Sequence, residues 1–501
     1  MGKFSMRIAF SEQQHPRYEQ IARAIEGAIL NGKLQSGERL PTVRELSTDL
    51  GVSGTTITAA FNRLAERGLI SPEVGRGTFV AKRHEQSPSE MVGWSPRSVR
   101  SSTKTSWRKR ALTNSRARLR SLYPMATDCS MGRPDAALLP FQLIKQALSS
   151  TLEQATHEDL QYSGPEPLPC FAARVLPRLR ADSVRVSEQN LMVGSSAQQF
   201  LMLALEVITR VSGGSPVVAV EDPGYATLMD SYERAGVQLA GVAIDHLGAV
   251  PEALEAALAA GANAAVFTPR GHNPTGCSWS PQRAAELADV LAAHRDVMII
   301  EDDQFSGVST TCPGSLLSDQ RIADRVLYIR SFSKSIGPDV RVAVAAAESR
   351  LRNLIMEAKS FADGWTSRLL QKAIAEVLAD GELDHVLDHA RDTYRARRES
   401  AAQTLNGCLF SVGGSTWCGP DGVNLWVHLS PGVDADNVIE HAAEAGVLVA
   451  PGEPFFILPG QSNWVRFNPC TIPVEKTVEV AQTLAKAIVR SVRNTAVSVH
   501  V

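Results

Sequence analysis

A chain of 501 residues is too long for one ordinary core, and length alone suggests two to four folding units. Its 44% hydrophobic and 21% charged residues fit a globular protein and exclude a disordered or fibrous one. The net charge of −2 hides an asymmetry, because the first 120 residues carry +11 and the remaining 381 carry −13. That pattern fits either a polyanion partner for the front end or a solvated basic tail.

Cysteines stand at 129, 170, 277, 312, 408, 418 and 470 with no CxxC pair, so neither a disulfide framework nor a zinc site is expected. The opening MGKFSMRIAF lacks the apolar stretch of a secretory signal, and no apolar run reaches membrane-spanning length. A soluble cytoplasmic protein with no membrane contact is expected.

Taken in chain order, YEQIARAIEGAILN (18–31) places Ile21, Ile25 and Ile29 on one helical stripe, stopped by Gly32. A second helix over 42–50 starts at Thr42, with Glu45 at capping-box spacing and Leu46 and Leu50 facing inward. Ser53 caps a third helix that ends near Gly68, its core face being Ile57, Phe61 and Leu64. ISPEVGRGTFVA then reads as two short strands around Gly75, Arg76 and Gly77. Residues 83–125 are rich in Ser, Pro and Arg and read as a basic linker whose tail, 107–122, has the composition of a basic helix.

From 126 to 495, short apolar strands alternate with Ala/Leu-rich helices. PVVAVED (216–222), AAVFTPR (264–270), VMIIEDD (297–303) and RVLYIRSFS (325–333) are near-continuous β-rich runs, which implies an α/β domain with a mainly parallel sheet. Residues 385–495 mix helices with the strands GVNLWVHL and SNWVRFNP, suggesting a smaller α+β subdomain.

Three helices and a wing, with a Ser/Thr-rich start to the third helix, make a winged helix-turn-helix reader of DNA. The run NGKLQSGERLPTVRELSTDLGVS…TTIT…LAERGLI…GRGTFV closely resembles the GntR family within residues 12–82. By that resemblance Arg44 meets phosphate or a base, with Thr42 beside it. Ser53, Thr55, Thr56 and Thr58 face the major groove, and Gly75 and Arg76 sit at the wing. Gly54 departs from the family, which usually carries arginine there. A bidentate arginine–guanine pair is worth about 1–3 kcal/mol of discrimination, so that contact is missing or supplied elsewhere.

The motifs after residue 126 resemble those of fold-type I aminotransferases, in order, and match best the MocR-type branch of the GntR family. In SFSKSIGPDVR the resemblance makes Lys334 the amine that forms an imine with pyridoxal 5'-phosphate. Ser331, Ser333 and Arg341 would grip the phosphate, helped by the helix start Ser195, Ser196 and Ala197 in GSSAQQ.

Asp302, with Asp303 as the register alternative, would pair with the pyridine nitrogen. Asn273 of HNPTG would reach the phenolic oxygen, Tyr225 of VEDPGY would stack on the ring, and Arg466 of NWVRFNP would clamp a ligand carboxylate. Tyr162 matches more loosely a residue lent to the neighbouring subunit's phosphate site, and a head-to-tail homodimer is implied.

One departure bears on function. The family commonly places a tyrosine two or three residues past the aspartate, and this chain has Gln304 and Phe305. Gln304 is expected to replace the tyrosine as donor to the phenolic oxygen, stabilising it less well. The expectation is therefore a transcription regulator that binds pyridoxal phosphate and responds to it, or to an amine or amino acid such as γ-aminobutyrate or taurine. Vitamin B6 or amino-compound genes are candidate targets. The alternatives are an active aminotransferase with an appended DNA-binding domain, and a cofactor site reduced to a dimerisation module.

Overall fold

The structure is a computed structural model and describes residues 16–30, 37–66, 70–73, 77–80, 107–214, 216–430 and 432–498. The chain divides into two compact units, Met1–Gln86 and Ser87–Val501.

The first unit contains α1 (Arg17–Leu30), α2 (Val43–Leu50), α3 (Gly54–Glu66), β1 (Ile70–Glu73) and β2 (Gly77–Val80). Ile21, Ile25, Leu40, Leu46, Ile57, Phe61, Leu64, Ile70 and Val80 form its core. The periodic apolar residues face inward, each large one contributing about 1.5–3 kcal/mol by leaving water. Thr42 and Glu45 close a full capping box on α2, and Gly51 ends that helix in the left-handed conformation at φ 63°.

β1 and β2 pair antiparallel as a wing, and the chain at Glu38–Leu40 lies along β2 through Val80 N–H to Glu38 O and Leu40 N–H to Thr78 O. Gly77 opens β2 at φ 119°, a backbone conformation that residues with a Cβ rarely adopt, so glycine is required there. The wing residues Gly75 and Arg76 lie outside the described residues.

In the second unit the strands are β3 (Thr127–Asp128), β4 (Leu191–Gly194), β5 (Val217–Asp222), β6 (Gln238–Asp245), β7 (Gly248–Ala249), β8 (Ala264–Phe267), β9 (Met298–Asp303), β10 (Val326–Ser331), β11 (Ala343–Ala346), β12 (Ser415–Trp417), β13 (Leu425–His428), β14 (Val447–Leu448), β15 (Ala450–Pro451) and β16 (Trp464–Phe467). Eight of them form one sheet in the order β4-β11-β10-β9-β8-β5-β6-β7, parallel except where β11 and the short β7 run against their neighbours.

These strands are buried almost throughout, as their near-continuous apolar runs lead one to expect, because a hydrophobic core covers each face. The second sheet, β12-β13-β16-β15, is antiparallel and belongs to the smaller subdomain.

The helices of this unit are α4 (Arg108–Leu122), α5 (Phe141–Glu153), α6 (Pro169–Ala181), α7 (Ala197–Ser212), α8 (Ala226–Arg234), α9 (Pro251–Ala259), α10 (Pro281–Ala293), α11 (Ser349–Ala362), α12 (Arg368–Ala379), α13 (Glu382–Leu409), α14 (Ala435–Glu444) and α15 (Val474–Ser498). The linker expected over 83–125 is corrected by α4. Arg108 and Leu119 are fully buried, and Leu119 and Cys129 join the core that α13, α14 and α15 share. β3 also pairs with β14. The folded second unit therefore includes 107–125, and its smaller subdomain draws on residues from both ends of the unit.

Candidate functional site

Parallel sheets place ligands beyond the carboxyl ends of their strands. Here β9 ends at Asp302 and Asp303 and β10 at Ser331. Ala343 of β11 pairs with both Ser331 and Gly194, so the Lys334 loop and the start of α7 meet at one end of the sheet. That end opens on a cavity of about 310 Å³ whose wall includes Tyr225, Asn273, Gln304, Lys334 and Arg466.

Lys334 donates to the Gly132 carbonyl at 2.7 Å. Burial, reinforced by the charge of Arg466 and opposed by Asp302, pulls its ammonium down to about 8. A sizeable neutral fraction therefore exists near physiological pH, which is what attack on an aldehyde requires.

Arg466 donates to Asn273 Oδ1 at 3.0 Å and to the Ser130 carbonyl at 2.6 Å, and lies 4.6 Å over the Phe455 ring. Its Nε is buried without a partner. Burial lowers its guanidinium to about 10, and it stays charged at neutral pH.

The two adjacent acids have different fates. Asp303 is held by Arg270 through two bonds of 2.9 and 2.8 Å and by the Tyr328 hydroxyl at 2.5 Å, which keep its carboxyl below the usual range despite burial. Asp302 is pushed up to about 7, mainly by burial, and its Oδ1 is buried with no partner. An unpaired buried acceptor is costly, and a pyridinium N–H would satisfy it. The residues present thus fit pyridoxal phosphate. Asp302 would hold the ring nitrogen, Tyr225 one ring face, and Asn273, whose Oδ1 is already engaged, would offer its N–H₂ to the phenolic oxygen.

Gln304 differs from expectation. Its amide N–H donates to Asp302 Oδ2 at 2.6 Å and therefore steadies the acid instead of reaching for the phenolic oxygen. Ser195 differs too, because its N–H donates to Gln199 Oε1 at 2.7 Å and is not free for phosphate. Ser196 caps α7 by accepting the Gln199 N–H, and the first turn of that helix starts at Ala197.

Ser331 Oγ donates to Ser333 Oγ at 3.0 Å. Arg341 is exposed, sits in the left-handed region at φ 55°, and makes no ion pair among the described residues. None of this second group lies in the cavity wall itself. Tyr162 is 84% exposed and meets Trp365 edge-on at 5.3 Å.

Sequence reasoning missed one wall of the cavity. Leu112, Thr113, Ser115 and Arg116 of α4 line it, as do Asn424 and Phe455. Arg116 donates from Nε to Asp128 Oδ2 at 2.9 Å, and its Nη2 lies 2.8 Å from the same oxygen as an ion pair. Composition suggested this helix but hid its burial, and only its leucines at 112 and 119 signalled a packed face.

In the first unit the Thr42 hydroxyl is engaged in its cap, while Arg44 is exposed on α2. Ser53, Thr55 and Thr56 share hydroxyl contacts of 2.7 and 2.8 Å at the start of α3. Thr58 is exposed one turn on, its hydroxyl donating to the Gly54 carbonyl at 2.9 Å.

The fold and site define a class: a winged helix-turn-helix unit followed by a fold-type I aminotransferase-like unit. Residues 17–80 match the gntR family of bacterial regulatory proteins, and 130–484 match the class I and II aminotransferases. Among relatives, the vitamin B6 salvage pathway transcriptional repressor PtsJ of Salmonella typhimurium is 31% identical over 87% of this chain and 90% of its own length. The HTH-type transcriptional regulator TauR of Rhodobacter capsulatus is 25% identical over 87% and 89% respectively.

Among solved structures, the α-aminoadipate aminotransferase LysN of Thermus thermophilus, complexed with N-(5'-phosphopyridoxyl)-L-leucine, aligns with a TM-score of 0.65 at 24% identity. The alignment covers 76% of this chain and 97% of that one, and it shows the shared fold. The chain belongs to the MocR-type branch of the gntR family of transcription regulators. Among the described residues, no helix is long and apolar enough to cross a membrane.

Proposed function

We propose that this regulator binds pyridoxal 5'-phosphate through Lys334 and responds to that molecule, or to an amine or amino acid presented to it, by changing its hold on an operator. The observation that carries this reading is the pairing at one sheet end of a lysine amine with lowered proton affinity and a buried carboxylate with an unused oxygen. When bound, the cofactor supplies an aldehyde for the lysine and an electron-withdrawing ring. Asp302 orients the ring nitrogen, Asn273 the phenolic oxygen and Arg466 a ligand carboxylate. Ala197 at the start of α7, with Ser331, Ser333 and Arg341, supplies the phosphate site.

Similarity to a vitamin B6 salvage repressor favours pyridoxal phosphate as the signal and vitamin B6 genes as targets. A homodimer is part of the proposal, supported by the exposed apolar side chains Leu160, Tyr162 and Phe361. The intact Lys334 and Arg466 favour one second reading, a working aminotransferase, which Gln304 in place of a phenol opposes.

The test is the visible spectrum of the purified chain with added pyridoxal phosphate, for wild type and Lys334→Ala, beside a gel shift on the DNA upstream of its own coding sequence. A new visible band in wild type, absent from Lys334→Ala, and a cofactor-dependent gel shift are expected. No band under any addition would remove the cofactor reading, and turnover of amino acids at about 1–10³ per second would favour the enzyme.

A further inference from the structure

Arg108 opens α4 in a segment whose composition reads as solvated, yet its side chain is fully buried. Its guanidinium is saturated. Nη1 donates to Asp230 at 3.2 Å and to Glu233 at 2.6 Å, both on α8. Nη2 donates to Glu233 at 3.3 Å and to the Ile457 carbonyl at 2.7 Å, and Nε to the Phe456 carbonyl at 3.0 Å. Asp230 also accepts the backbone N–H groups of Arg108 and Lys109 at 3.3 and 2.7 Å, placing a negative charge at the positive end of α4.

One side chain thus ties together the start of α4, helix α8 and the 456–457 backbone. Each of these also touches the cavity. α4 contributes Leu112, Thr113, Ser115 and Arg116 to its wall, α8 contributes Ala226 and Thr227, and Phe455 adjoins the tied carbonyls while carrying Arg466 on its ring. A buried charge cluster is weak evidence for stability, since apolar residues of similar volume would hold a helix as well. What a planar fork with fixed donors adds is a defined geometry among three elements.

We infer that Arg108 is a positioning residue that couples filling of the cavity to the placement of α4, the first described helix after the segment that joins the two units. A ligand against Arg466 and Phe455 bears on the 455–457 backbone and on the α4 wall together, and Arg108 makes them respond as one body. The ligand class is the one proposed above, a pyridoxal phosphate site with or without an amino acid, and the inference rests on that reading.

The test is hydrogen exchange of the full-length chain with pyridoxal phosphate as the probe, read beside the visible band of cofactor binding. In wild type, amides of residues 108–116 gain protection of about 5- to 150-fold at saturation, the ordinary range of coupling between sites. Arg108→Lys keeps the charge but lacks the fork. It is expected to form the visible band with nearly unchanged affinity and to lose the gain.

The double variant Arg108→Gln/Glu233→Gln leaves no lone buried charge from that pair and is expected to behave the same way, which guards against a folding defect in the single variant. Undiminished gain in both variants, or a visible band in wild type with no gain at all, overturns the inference. Absence of the band in wild type overturns the cofactor reading and this inference with it.

Discussion

On the proposed reading, the lowered proton affinity of Lys334 makes a quantitative prediction about how the chain would capture pyridoxal phosphate. Burial first, and the charge of Arg466 second, bring the ammonium from 10.5 to about 8. At pH 7 the neutral share is then about one in ten, against about one in three thousand for an ordinary lysine, a gain of roughly 300-fold in reactive amine. Capture measured as growth of the visible band should rise about tenfold per pH unit up to about pH 8 and level off above it.

Arg466→Gln removes the second cause and leaves the first, so the midpoint should move upward while the slope below it stays the same. Free pyridoxal phosphate titrates too, and capture by a small amine in the same buffers supplies the correction. A wild-type midpoint near the ordinary lysine value, or one unmoved by Arg466→Gln, would refute the electrostatic account.

Three further expectations follow from named contacts. Gln304→Ala removes a 2.6 Å charge-assisted bond to Asp302. That bond lowers the Asp302 carboxyl, so losing it leaves more of the acid protonated at pH 7, and pyridoxal phosphate should bind more weakly in an absorbance titration, the deficit shrinking as pH rises. Burial raises Glu221 from 4.5 to about 8, so the folded chain holds a proton that the unfolded chain has released. Its contribution to stability is full below about pH 4.5 and is lost as pH rises through about 8, and Glu221→Gln should flatten the fall between those two values in a denaturant series. Arg44→Ala should weaken operator binding and reduce the salt slope by about one if Arg44 meets a phosphate, and an unchanged slope would assign it to a base edge or to no contact.

The central strands were legible because parallel strands covered on both faces need apolar stretches, and VMII at 297–300 and VLYI at 326–329 supply them before the polar residues of the site begin. The α2 cap was legible for an equally local reason, since Thr42 and Glu45 satisfy each other within one turn. The helical composition of α4 was legible but its place in the body was not, because what holds it there lies far along the chain. Arg108 meets Asp230 and Glu233 more than 120 positions on and Ile457 nearly 350 on, and no local pattern announces a buried arginine. The roles of Gln304 and Ser195 failed on a finer scale. Motif order gave their neighbourhood, but the direction of each hydrogen bond depended on Asp302 and Gln199 side chains whose rotamers no spacing rule fixes.

On the proposed reading, position 304 also bears on why the site would suit sensing better than turnover. The Gln304 amide is drawn to Asp302, so among the residues assigned here Asn273 is left as donor to the phenolic oxygen. Asn273 is itself aimed by two contacts on its Oδ1, from Arg466 at 3.0 Å and from Asn424 at 3.4 Å. On the proposed reading, a ligand carboxylate that engages Arg466 competes with the contact that orients Asn273. Ligand and cofactor then share one side chain, and each changes the affinity for the other by the same factor. A catalyst gains nothing from that link, since it weakens the hold on cofactor when substrate arrives. A regulator gains its signal from it, because what it must report is a difference in binding between two states.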